Sequence, residues 1–195
     1  MSKSSNFAGG VRVRSLSKEN LRERARTIRK KLHLEGIARF PVVRFLEFLQ
    51  GIKDDFDYEV VAPGVLPKEM YACYDPFTGI MRIEETFYNM ANEGNGFARW
   101  TILHECSHYF LHRDQMSALT QCNTHPLKAY EDSEWQANTL TCELMLPSEM
   151  LNENMTPEEV AEMFGVSLKA AKNRLAQIHT QKEAVQKIKE FWKCV

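Results

Sequence analysis

Hydrophobic positions along the chain change period several times, and each period predicts a different element. Leu21, Ala25, Ile28 and Leu32 recur at helical spacing from residue 18 to about 32. They predict a helix with one apolar face and an arginine-rich face opposite, with Ser17 as candidate N-cap. Gly36 interrupts the pattern. Phe40-Pro41 then opens a second helix through Val42, Val43, Phe45, Leu46 and Leu49 to Gly51, since Pro is compatible with a first helical position. Strand-like runs follow at residues 57–61, 70–74 and 80–83, the last two separated by the turn residues Asp75-Pro76-Phe77-Thr78-Gly79. These predict a small antiparallel sheet of two to three strands.

After a Gly-rich loop at residues 93–96, a largely apolar helix carries Ile102, Leu103, Phe110 and Leu111. Residues 113–130 are polar and irregular, and a second core helix runs from about residue 131 to 146, ended by Pro147. Thr156-Pro157-Glu158-Glu159 has the form of a capping box with Pro at the first helical position. That helix ends near Phe164-Gly165. Ser167 caps another, from about residue 168 to 178, and a final amphipathic helix carries Val185, Ile188, Phe191 and Trp192. The fold class expected is α+β. A flexible tail is expected over residues 1–16, a main domain over 17–150 and a helical, helix-turn-helix-like region over 151–195.

At 195 residues and 44% hydrophobic content the chain can bury a core of one domain with a small appendage. Its net charge of −1 is unevenly spread. The first thirty-one residues are strongly basic, whereas no Lys or Arg falls between Lys128 and Lys169. Solvated helix faces account for both; a basic arm and an acidic face toward charged partners is the alternative. Cys73, Cys106, Cys122, Cys142 and Cys194 form no C-x-x-C pair and read as reduced thiols of a cytoplasmic protein. No apolar run has the length of a signal or a membrane span. A regulatory role is expected rather than a digestive, secreted one.

The chemistry concentrates in His104-Glu105-Cys106-Ser107-His108. On a helix, His104 and His108 lie one turn apart on one face and can aim two ring nitrogens at a Zn²⁺ ion about 2.0–2.1 Å away. Glu105 sits beside such an ion as general base. Burying two histidines and a glutamate is costly unless something pairs with them.

A third ligand is required. In H-E-x-x-H-x-x-G-x-x-H the Gly turns the chain back to the metal, but Leu111 stands at that position here and Asp114 at the last. His112, roughly 6 Å further along the axis than His108, reads as a C-terminal helix cation rather than a support for the ligands. A glutamate from the downstream helix fits better. Glu134 is the leading candidate, with Asn138 on its face to accept a ring N–H from a ligand histidine. Glu131 is the alternative, and Glu143 is out of phase.

The run from Arg99 to His108 resembles the RFTxxHExGH signature of the ImmA/IrrE family of metallopeptidases. Glu134-Trp135-Gln136-Ala137-Asn138, continuing to Leu144-Met145-Leu146-Pro147, resembles its ExxANxFAxxLLMP helix, and residues 160–175 resemble the tail that often follows. Ser107 replaces the usual Gly, and Leu140 and Thr141 replace Phe-Ala. The resemblance implies a zincin-like, gluzincin-type fold, with His104, His108 and Glu134 as zinc ligands and Glu105 as catalytic base. It also implies an intracellular anti-repressor that cuts a helix-turn-helix transcription repressor of a mobile element, prophage or stress regulon.

On this reading the strand at 80–83 is an edge to which an extended substrate adds. No oxyanion donor is assigned by the sequence: His125, Tyr109 and Arg99 are available, and a structural role is expected for each. Mn²⁺ or Fe²⁺ can take the place of zinc. Two other functions compete. Lys169, Lys172, Asn173 and Arg174 could read DNA from the C-terminal helices, with the basic N-terminal helix on phosphates. Alternatively, the protein is a toxin–antitoxin-like interaction module with a structural metal and no proteolysis.

Overall fold

The computed structural model describes residues 10–118 and 127–193. Helix α1 (Lys18–Lys31) begins at a capping box in which Ser17 and Asn20 satisfy each other's backbone N–H groups. It buries Leu21 and Ala25. Arg29, on the basic helix, is also buried, and its guanidinium donates to the carbonyl oxygens of Leu144 (2.6 Å), Leu34 (3.1 Å) and Ile37. Helix α2 (Val42–Ile52) follows Pro41 and buries Val42, Phe45, Leu46 and Leu49.

Strands β1 (Asp57–Val61), β2 (Ala72–Asp75) and β3 (Ile80–Glu84) form one sheet in the order β1-β3-β2. The sheet is mixed rather than antiparallel. β2 and β3 make the hairpin expected from the Asp75–Gly79 turn chemistry, while β1 runs parallel to β3. Strand β3 is therefore central, not an edge. Its Met81 and Ile83 are completely buried, and it pairs along both sides. The edge strands are β1 and β2.

Helix α3 (Glu85–Asn92), absent from the sequence reading, follows β3 directly and buries Phe87 and Ala91. Helix α4 (Gly96–His112) starts at Asn95, whose side chain accepts from the N–H groups of Phe97 and Ala98. Helix α5 (Ser133–Met145) lies against α4, and Ser107 Oγ and Thr141 Oγ1 meet at 2.9 Å in the contact. Helix α6 (Pro157–Phe164) carries the expected Thr156–Glu159 capping box and ends at Gly165 with φ 62°. Helix α7 is continuous from Leu168 to Lys193 where two helices were expected. No Gly or Pro lies in that stretch to end a helix. Val160, Phe164, Leu175 and Ile178 join the same core as α4 and α5.

Residues 11–16, in the stretch read as a loose tail, form an extended strap across the start of α5. Val11 and Ser133 exchange two hydrogen bonds, at 3.0 and 3.1 Å. Val13 donates to Glu131 and Leu16 to Tyr130, both at 2.9 Å. Val13 is buried. Backbone groups that need partners find them in the loop before α5.

Candidate metal centre and its cleft

Helix α5 is placed by its N-cap. The Asp132 side chain accepts from the backbone N–H groups of Glu134 and Trp135, which fixes Glu134 in the first turn. Across from it, His104 and His108 stand one turn apart on α4 with their Nε2 atoms 3.0 Å apart. Glu134 Oε2 is 3.3 Å from His104 Nε2, and Oε1 is 3.2 Å from His108 Nε2. Donors held tetrahedrally at about 2.0–2.2 Å from one ion lie about 3.3 Å from each other. The three side chains thus match a metal ion of that size, and this is the cluster among the described residues that could hold one.

The electrostatics agree with a cationic centre. Burial would raise the Glu134 carboxyl, but His104 and His108 beside it outweigh that and hold the group far below its ordinary range. Burial would lower the His108 imidazole, yet the Glu134 and Glu105 carboxylates beside it leave it raised.

Glu105, next to His104 on α4, is held differently. Its Oε2 accepts from the backbone N–H of Tyr74 at 3.0 Å. In the β2–β3 register, Tyr71, Cys73 and Asp75 turn their backbone groups toward β3, whereas Ala72 and Tyr74 turn theirs to the free edge. The carboxylate and the free edge of β2 therefore meet.

A cleft of about 750 Å³ reaches His104 and Glu105. Residues 69–72, up to the first residue of β2, line it together with Trp100, Thr101, His104 and Glu105 of α4, Trp135, Asn138 and Thr139 of α5, and Lys169, Asn173 and Arg174 of α7.

The other sequence candidates lie elsewhere. Glu131 pairs with Arg12 at 3.1 Å, and the Asp114 side chain is exposed beside Arg113. Glu143 is buried in an ion pair with Arg174 at 2.6 Å. Arg99 is buried and donates to the carbonyls of Phe40 (2.6 Å), Phe164 and Gly165, with burial and Arg39 pulling its pKa down to about 10. Tyr109 donates to Asp55 at 2.8 Å. Neither is spent on the cleft. His125 lies outside the described residues.

Two expectations about the histidines' other nitrogens change. Asn138 is exposed and makes no bond to either ring, and His104 Nδ1 is buried without a partner among the described residues. His112 is not an exposed helix cation. It is 3% exposed, and burial and His108 push its pKa down to about 4, so it is neutral. Its Nδ1 lies 3.1 Å from His108 Nδ1 and its Nε2 3.2 Å from Gln136 Oε1. Sequence spacing could place His112 on the ligand face; it could not reveal that Gln136 stands opposite.

Over residues 91–176 the sequence matches the peptidase M78 family, described as the IrrE N-terminal-like domain. That stretch is similar to an IrrE N-terminal-like domain. It contains α4, α5, α6 and most of the cleft-lining part of α7, hence His104, Glu105, His108 and Glu134 together. The family is of metallopeptidase type. Among solved structures, a Mycobacterium tuberculosis transcriptional regulator is similar at 16% identity with a TM-score of 0.54. The match covers 80% of this chain and 46% of that one, so the chain spans less than half of the regulator's length and the likeness is one of fold. No curated protein sequence matches the chain. No helix among the described residues is long and apolar enough to cross a membrane.

Proposed function

We propose that the protein is a metal-dependent endopeptidase acting on an extended segment of a regulatory protein, a helix-turn-helix transcription repressor. The observation that carries this is one cleft lined by His104 of the His104–His108–Glu134 cluster, by Glu105 and by Ala72 on the free edge of β2. A Zn²⁺ ion held by His104, His108 and Glu134 supplies Lewis acidity and lowers the pKa of water; Mn²⁺ or Fe²⁺ can do the same.

The chain's own groups do the rest. Glu105 takes a proton from the attacking water and passes it to the leaving amine. Its bond from Tyr74 N–H holds one carboxylate oxygen and leaves the other to work. The N–H and C=O of Ala72, on the free edge beside the cleft, pair with the substrate backbone as with an added strand. Only an extended segment can pair this way, so the cut falls in a loop or linker. The apolar floor at Trp100 and Trp135 receives its side chains.

DNA reading by the C-terminal helices is the weaker proposal. Arg174 is buried against Glu143, and Lys169 and Asn173 line the cleft. On the N-terminal helix Arg29 is buried and Arg22 and Arg26 pair with carboxylates.

Glu105→Gln decides between the readings. The variant is expected to keep the metal, lose a factor of about 10²–10⁴ in peptide cleavage, and retain its substrate intact when recovered from native cells. Wild type should yield the same partner as two fragments. Recovery of the same intact partner by both forms, or of nucleic acid alone, would rule proteolysis out in favour of an interaction module.

A further inference from the structure

His108 has a hydrogen-bonded chain behind it that leads away from the cleft to the N-terminal strap. Gln136 is completely buried on α5. Its Nε2 lies 2.8 Å from the carbonyl oxygen of Arg14 and 2.8 Å from that of Tyr130. Carbonyl oxygens only accept, so the amide nitrogen must face them and donate both of its hydrogens. The reversed amide would set oxygen against oxygen twice. With the nitrogen so placed, Gln136 Oε1 faces His112 Nε2 at 3.2 Å and only accepts. Above the histidine titration range each ring holds one hydrogen, so His112, facing an acceptor at Nε2, carries it there and presents a bare Nδ1. That Nδ1 lies 3.1 Å from His108 Nδ1, which must supply the hydrogen between them. His108 then carries its hydrogen on Nδ1, and its Nε2 lone pair points at His104 and Glu134.

We infer that Gln136 and His112 are positioning residues that hold His108 in the Nδ1–H tautomer and present its Nε2 to the metal, with the direction of the whole chain set by the backbone carbonyls of Arg14 and Tyr130. The inference rests on the metal-centre reading given above. Isolated neutral imidazole prefers the opposite tautomer, with hydrogen on Nε2, which cannot bind a metal through that atom. A partner that fixes the ligand's tautomer and ring orientation is worth about 10–100-fold in metal affinity. The strap contributes a hydrogen-bond acceptor two residues removed from the metal ligand, so residues 11–16 belong functionally to the site.

Two measurements test this. Long-range ¹H–¹⁵N correlation of the metal-free protein, at a pH above the histidine titration range, reads the tautomers directly. His108 is expected as Nδ1–H and His112 as Nε2–H. A predominantly Nε2–H His108 overturns the inference, whatever any variant does. Second, Zn²⁺ affinity measured by chelator competition is expected to fall about 10–100-fold in Gln136→Met. If wild type binds Zn²⁺ and Gln136→Met binds within twofold of it, the chain of bonds has no positioning role and the inference fails alone. If wild type binds no Zn²⁺, the metal-centre reading fails and takes this inference with it. The tautomer measurement needs no substitution, so it decides even if Gln136→Met does not fold.

Discussion

At the scale of single residues, the least forgiving pair is Glu143 with Arg174. Both side chains are 1% exposed, 2.6 Å apart, and Arg174 also donates to the Leu146 carbonyl at 2.9 Å. Removing one member strands the other's charge in the core, with Arg22 at 3.5 Å as partial relief for Glu143. Arg174→Met is expected to destabilise the fold by about 3–5 kcal/mol. Adding Glu143→Leu should recover most of that, and urea titration of both variants reads the difference. From sequence, Glu143 could be set aside as a ligand because it is out of phase with Glu134. Arg174 could not be read correctly. An arginine near the start of a helix in a helical pair looks like a phosphate contact until its partner, 31 positions away, is seen beside it. His112 misled for the same reason: its role depends on Gln136, and no spacing rule links the two. That His104, His108 and Glu134 come together was legible because each has a definite place on a helix face, and two helices in contact leave few choices for what meets what.

At the scale of elements, most helix starts were legible and the order of the strands was not. Caps at Ser17, Asn95, Asp132 and Thr156 mark helix starts by local chemistry. Strand order depends on contacts that alternation does not encode, which is why β3 read as an edge. The close packing of the metal helix on the C-terminal pair was equally hidden. Gly96 begins α4 directly against the Val166–Ser167 backbone, where a Cβ would collide with main-chain atoms that no side-chain rotation can clear. Gly96→Ala is therefore expected to cost about 1–3 kcal/mol and to push the turn before α7 outward. A denaturation curve gives the cost, and amide exchange in residues 166–170 should quicken if α7 is loosened from α4. Unchanged exchange there would mean that α4 moves instead. Two of the three departures from the family signature, Ser107 and Thr141, meet each other where α4 crosses α5. A hydroxyl pair takes the place of the smaller residues there, and both groups stay satisfied: Ser107 Oγ also donates to Leu103 C=O at 2.9 Å.

At the scale of the molecule, the metal is expected to act as a staple. Its three candidate ligands join α4 to α5, and the strap, α1 and α7 all pack on that pair or on the loop before it. A ligand present at 1,000 times its dissociation constant stabilises a fold by about 4 kcal/mol. Chelation is therefore expected to lower the melting temperature by several degrees, with the full loss restored by stoichiometric Zn²⁺. A melting temperature indifferent to chelator would mean that nothing binds at the cluster. The order in which the chain is made adds a different constraint. Arg14 and Gln136, whose bond orients the chain of groups behind His108, are 122 positions apart. At about 5–20 residues per second, roughly 6–24 s pass on the ribosome between the two. Throughout that time the N-terminal segment has no docking surface, and in the last part of it α4, once made, has neither Glu134 opposite it nor an oriented His108. A nascent or truncated chain thus holds the histidine pair without the means to use it. The cluster is among the last parts of the molecule to be completed, and under the proposed function an unfinished chain is an inert one.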